Sequence, residues 1–483
     1  MRTEVRRLPQ MLASAIVLKQ TSRWILMGTI FFAPWAYGCT RDWSKHMLCY
    51  VLCAMTSLFL ISLLLERRRP RIPPFALLFS LGTIALGFCM AMNEYAVFDA
   101  MKFAFEPSMP ILDGWPGTVD RSRSMQRVSM IAGLIGAFWI ACDLMANALW
   151  RKRLWTAYAL AGLSIIILGL LQRVTGARAI FWEMGANMGE TFFATYRYHG
   201  NAGAFINLVL PLLAGRALLT IRDKSNQAVK SFWCVAAFIA SAAAFVNSSR
   251  AAMVVTVFLI VILGLWQLLD YRRGHGQKRW EPFLAAALIV AFTFLLASAF
   301  GLELTKNYWA THVNNLLENK RYLVYETITS QVLPISGWRG FGPGTFEITF
   351  PFFTNHLATT VSGIWRYAHQ DYLQTVMEWG WIGSLLWGGL IFGGLGIGVT
   401  RLIRNYPRLS QEERVLLGSC SLTVTGILLH ALVDFPFQIA SLQLFALIAC
   451  AVLWSIKPPV GRPRKSIPAG NQGSDVVRIV SSH

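Results

Sequence analysis

The sequence predicts an all-α integral membrane protein of about twelve transmembrane helices, with a large, partly helical loop between the ninth and the tenth. Three observations predict it. Of 483 residues 55% are hydrophobic and 14% charged, and the mean hydropathy is +0.48, which excludes a soluble enzyme. Runs free of Asp, Glu, Lys and Arg recur at about the 20-residue length that crosses hydrocarbon. The basic residues, finally, collect in alternate gaps between those runs.

In chain order the runs are 24–40, 47–65, 73–93, 128–150, 154–172, 198–215, 231–249, 251–269, 282–302, 379–400, 415–433 and 435–456; only 128–150 carries a charge, Asp143. The termini and the gaps after even-numbered runs hold 29 Lys and Arg against 8 Asp and Glu, while the other side holds 15 of each. Both termini are therefore expected in the cytoplasm. The net charge of +20 reads as a topology signal and an attraction to anionic lipid, not as a nucleic-acid footprint. The first apolar stretch, 11–18, is too short for a cleaved signal peptide, so the first span serves as the insertion signal. The eight Cys lie in or beside apolar runs with no C-x-x-C, as small packing residues do. The domain reading is a cytoplasmic N-terminus at 1–23, a membrane domain at 24–456 and a disordered cytoplasmic tail at 457–483, rich in Pro, Ser and Gly.

The irregular sequence lies on the outer side, in gaps 94–127, 173–197 and 303–371, and loops of that length in compact proteins are usually functional or disordered. The last contains a candidate helix at 314–328 and is expected to fold. Arg250 stands alone between two apolar runs; its guanidinium fork suits phosphate oxygens, and it equally suits lipid headgroups or a helix C-terminus. Arg197 and His199 precede an apolar helix that Pro211 is expected to break. The outer loop supplies Arg321, Arg339, the Gly340-Phe341-Gly342-Pro343-Gly344 turn, and Arg366 three residues before His369, which is followed by Asp371 and Glu378. Imidazole can take the proton of a hydroxyl near neutral pH, and it can also anchor an interface. His430 and Asp434 are spaced to share one helix face, as a structural pair or a functional one. Asp143 calls for a polar partner inside the bundle. No outward segment has an Asp-x-Asp pair or metal-ligand spacing, so neither a metal nor a cofactor is expected, and outward arginines are available to neutralise a diphosphate.

From about Tyr196 to Phe445 these pieces resemble the O-antigen ligase and polymerase family of bacterial membrane glycosyltransferases. The resemblance rests on the Arg197–Pro211 block, Ser249-Arg250-Ala251-Ala252, Arg321 with Gly340 to Phe346, Ala368-His369-Gln370-Asp371-Tyr372-Leu373-Gln374 with Glu378-Trp379-Gly380, and His430 to Pro436. It implies a type C glycosyltransferase-like enzyme of the bacterial inner membrane, working in cell-surface polysaccharide or lipopolysaccharide synthesis. Such an enzyme moves a glycan, with inversion, from an undecaprenyl diphosphate carrier to an acceptor hydroxyl on the periplasmic side. The acceptor is a glycan, a lipid core or another hydroxyl compound. By the same resemblance His369 is the catalytic residue. Arg250 and Arg321 hold the diphosphate, with Arg197, Arg339 and Arg366 as weaker candidates, and Asp371, Glu378, His430 and Asp434 support them. A polymerase of the same family remains the alternative within this chemistry. From another class, a transporter of lipid-linked sugars would show internal repeats and polar residues near the midplane, whereas the unusual residues here gather at one surface; a non-catalytic scaffold is the third reading.

Overall fold

A computed structural model describes residues 2–188, 192–222, 226–272, 320–354 and 365–457. The expected span at 282–302, the first part of the helix expected at 314–328 and the tail from 458 lie outside these. Long helices dominate: α1 Arg2–Trp35, α2 Asp42–Leu65, α3 Pro74–Met92, α4 Arg121–Leu144, α5 Ala148–Val174, α6 His199–Arg222, α7 Gln227–Val246, α8 Arg250–Arg272. Short pieces follow, α9 Lys320–Thr327, α10 Leu333–Ser336, α11 Phe346–Thr349 and α12 Pro351–Thr354, before α13 Asp371–Arg404, α14 Gln411–His430 and α15 Ala440–Ser455. Among the described residues eight helices, α2 to α8 and α13, are long and apolar enough to cross a membrane. The chain is a multi-pass membrane protein. Helices α1, α14 and α15 pack into the same bundle: α1 lies along α2, α14 along α6, and α15 along α4.

Burial sorts the helices. α4, α6, α14 and α15 are enclosed on nearly every side, whereas α2, α3, α8 and α13 turn large apolar side chains outward, among them Leu64, Phe75, Val254 and Leu385. An exposed apolar flank of that extent is expected where the solvent is lipid tails. Short polar side chains set the boundaries. Asp120 caps α4 by accepting from the Arg123 N–H, Asn147 caps α5 at Trp150, and Ser410 with Glu413 forms a capping box on α14.

Several expectations are corrected. The run 128–150 is not one helix: α4 stops at Leu144, and the Asn147 cap starts α5 before Trp150. Pro211 does not break α6, which continues to Arg222. The all-α reading gains a small antiparallel hairpin, β1 Ala96–Asp99 and β2 Ala104–Pro107, in the first outer gap. The helix expected to end at 328 runs on as α9, a π turn Ile328–Val332, and α10. Asp143 has its partners: Arg23 at 3.0 Å, and Arg68, which also reaches Glu66, itself paired with Lys19.

Candidate active site

The stretch that delivers His369 is fixed by the polar residues around it. Gln370 caps α13 by accepting from the Leu373 N–H at 2.6 Å. Asp371, fully buried, accepts from the Phe437 N–H at 2.7 Å and the Gln438 amide at 2.9 Å. Gln374 accepts from the Ala368 N–H and donates to Glu378. Glu378 in turn accepts from the backbone N–H groups of Gly344 and Phe346 at 2.9 and 3.3 Å. One helical face thus ties together the His369 loop, the glycine turn and the 435–438 turn.

Two glycines let the turn and the helix meet. Gly380 bends α13 with φ 63 and ψ −175, and a side chain there would begin 2.1 Å from the Trp338 carbonyl oxygen. Gly340, at φ 72, lies against the Glu378 carbonyl and the Gly380 N–H in the same way. The glycine-rich stretch is therefore a turn packed against the bend of α13.

His369 itself has φ 54, a conformation that non-glycine residues adopt rarely and that clusters at functional sites. Its carbonyl is held by the Tyr325 hydroxyl at 2.6 Å. Its ring lies edge-on to Tyr198, Trp365 and Phe435, and Nδ1 is 3.1 Å from Asp434 Oδ1. Among the described residues Nε2 has no hydrogen-bond partner, and the side chain is 22% exposed. Burial works against charge on Asp434, yet the contact from His369, with His430 Nε2 farther away at 3.8 Å, holds its carboxyl well below the usual carboxylate range. An ionised acceptor on Nδ1 makes that nitrogen the N–H donor and leaves Nε2 as the basic atom.

Arg321, in the first turn of α9, completes the cluster. It donates to the Val433 carbonyl at 3.0 Å and the Tyr198 hydroxyl at 3.1 Å. Burial and the Asp434 charge push the Tyr198 phenol well above its ordinary value, against the pull of Arg321, so it stays a neutral donor. Arg250 begins α8, exposed, close enough to act on His199 together with Arg321 and Asp434. The other arginines are elsewhere: Arg366 is 75% exposed and pairs with Glu347, Arg339 is exposed beside Tyr95 and Gly114, and Arg197 is exposed. His430 and Asp434 do pair, Nε2 to Oδ2 at 3.8 Å, but not along one helix face, because α14 ends at His430 and Asp434 lies in the turn beyond, where His369 is nearer. Sequence reasoning missed Tyr198, Tyr325 and Arg127. Tyr198 sits between two residues that were singled out. Arg127, in α4, donates to Gln438 and the Phe437 carbonyl, and a charge inside a helix was the signal that could have found it.

Residues 235–388 match the family model described as O-antigen ligase. Of the site residues expected from the sequence, Arg250, Arg321, Arg339, Arg366, His369, Asp371 and Glu378 fall inside that match, and Arg197, His430 and Asp434 outside it. No curated protein matches the chain.

Proposed function

Because residues 235–388 carry an O-antigen ligase domain, we propose that this membrane protein transfers a glycan from an undecaprenyl diphosphate carrier to an acceptor hydroxyl on the periplasmic side of the bacterial inner membrane. The observation that carries the reading is the His369–Asp434 pair, with Nδ1 bound at 3.1 Å and Nε2 left for substrate. In the transfer, Nε2 takes the acceptor's hydroxyl proton as that oxygen bonds to the anomeric carbon from the face opposite the carrier. The bond from the anomeric carbon to the phosphate oxygen breaks, and the electron pair leaves on the diphosphate. Attack from the opposite face inverts the anomeric centre. Asp434 stabilises the imidazolium that forms, as the carboxylate of a triad does. Arg321 and Arg250 face the charge building on the leaving group, a role worth about 3 kcal/mol per preorganised donor.

Proteoliposomes supplied with a lipid-diphosphate glycan and two acceptors, one carrier-linked and one lipid-core, test the reading. Product on the lipid core identifies a ligase and product on the carrier a polymerase; no product on either, from folded protein, rejects glycan transfer. His369→Ala should lower transfer by about 10²- to 10⁴-fold, the usual weight of a general base, with insertion unchanged. With guanidinium groups in the place a divalent ion takes in other transferases, chelator should leave the rate unaltered, and a loss restored by Mg²⁺ would contradict the assignment.

A further inference from the structure

His369 keeps φ 54, and a non-glycine residue holds that left-handed conformation only when its surroundings over-determine it. Its chain neighbours are tied to the helical bundle, the Ala368 N–H to Gln374 at 3.0 Å and the Asp371 N–H to the Ala431 carbonyl at 3.0 Å. The His369 carbonyl is bound instead to α9, by the Tyr325 hydroxyl at 2.6 Å. Among the described residues no other hydrogen bond reaches the His369 backbone. Burial, partly offset by Arg321, raises the Tyr325 phenol above its ordinary value, so the hydroxyl keeps the proton it donates. Tyr325 stands one helical turn after Arg321, and residues so spaced share a helix face. That face grips both members of the His369–Asp434 pair: Tyr325 takes the carbonyl of His369, and Arg321 takes that of Val433, the residue before Asp434, at 3.0 Å. α9 is itself firmly seated, since Val324 and Ile328 are fully buried in a cluster that includes Ala368 and Met377. One turn of helix thus sets the spacing of the 3.1 Å contact between imidazole and carboxylate.

We infer that Tyr325 is a positioning residue for the transfer: by fixing the His369 carbonyl, its hydroxyl keeps the imidazole in the pose in which Nδ1 meets Asp434 and Nε2 is left for the acceptor. The inference rests on the glycan-transfer reading above and adds to it a residue that acts through the base. Rotation about the backbone of residue 369 carries Cβ, and the whole ring, with it. Without the hydroxyl the chain can relax to the negative φ that L residues prefer. The ring then leaves Asp434, and the base loses both its tautomer and its aim. Tyr325 touches no reacting atom, so capture of the donor does not depend on it.

Tyr325→Phe removes the hydroxyl and keeps the ring. In proteoliposomes kcat should fall by about 10- to 10²-fold, the order that a misplacement of about 1 Å costs, while KM for the lipid-diphosphate glycan stays as in the wild type, since Arg321 keeps its contacts. In a His369→Ala background the same change should lower the residual rate no further, because no imidazole is left to position. A loss that multiplies with that of His369→Ala overturns the inference, as does an unchanged kcat in folded Tyr325→Phe. Tyr325→Leu, which also lacks the hydroxyl, carries the test should the phenylalanine variant fail to fold. A second measurement needs no substrate. In protein isotopically labelled at the histidine nitrogens, the His369 signal, identified by its loss in His369→Ala, should report the Nδ1–H form in the wild type and the averaged pattern of a mobile imidazole in Tyr325→Phe. The same His369 signal in both proteins overturns the inference. A shifted signal with no transfer by the wild type keeps the clamp and rejects the transferase; transfer lost in Tyr325→Phe with an unmoved signal keeps the transferase and rejects the clamp.

Discussion

The contact between His369 and Asp434 sets what the neighbouring groups can do. A carboxylate on Nδ1 fixes the tautomer, and removing its charge while keeping its shape leaves the wrong nitrogen protonated. Asp434→Asn should therefore lower kcat by about 10²- to 10⁴-fold with little change in KM, measured in proteoliposomes. The carboxyl is held below its ordinary range, so its contribution to stability is complete above the unfolded value of about 3.9 and is lost as pH falls through the lower folded value. The gap in thermal midpoint between wild type and Asp434→Asn should stay level from about pH 5 to 8 and close only below about pH 4. A gap that narrows near neutrality would mean that the histidine, not the aspartate, controls it. Arg321→Lys keeps a charge but loses the fork that spans the Val433 carbonyl and the Tyr198 hydroxyl; transfer should fall by at least about 10-fold, since one ammonium cannot take both positions.

At the scale of elements, the first half of α13 works as a hub. Asp371, Gln374 and Glu378 each hold a different loop, so truncating one loosens a place the chain does not reach by sequence. Glu378→Ala leaves the Gly344 and Phe346 N–H groups buried without an acceptor, a cost of about 1–3 kcal/mol, and Gly380→Ala meets both a disfavoured φ and the Trp338 carbonyl. Both should lower the thermal midpoint in detergent and reduce transfer, whereas an unaltered midpoint for Gly380→Ala would mean that the bend is not required. Much of this was legible. Helices announce themselves by apolar runs, and His369, Asp371 and Glu378 stand close together in the chain, at the mouth of such a run. What stayed hidden was pairing across distance: His369 with Asp434, 65 residues on, and Arg321 with Tyr198, 123 residues back. Helical spacing pointed Asp434 to His430, which does lie 3.8 Å from it, but periodicity reports only neighbours in sequence and could not show the nearer partner, His369.

For the whole molecule α4 acts as a ruler. Arg123, in its first turn, pairs with Glu347 of the candidate site's loops, and Asp143, in its last, is clamped by Arg23 and Arg68. Twenty residues of helix separate them, about 30 Å at 1.5 Å per residue, which is the thickness of a hydrocarbon core. Two polar layers at that spacing are what a bilayer imposes, with charges at both interfaces and apolar flanks between. The α5 and α14 starts follow the same plan, since Arg151 pairs with Glu412 and Glu413 at the Asp143 end. The excess of Lys and Arg falls on that end, so it should face the cytoplasm and the His369 end the periplasm. In a cysteine-free background, Met101→Cys, at the hairpin tip and 98% exposed, should react with a membrane-impermeant maleimide in cells whose outer membrane is permeabilised. Lys152→Cys, exposed at the start of α5, should react only after the inner membrane is opened. The reverse pattern would place the imidazole in the cytoplasm, away from any carrier-linked glycan on the periplasmic leaflet, and the proposed transfer would fail with it.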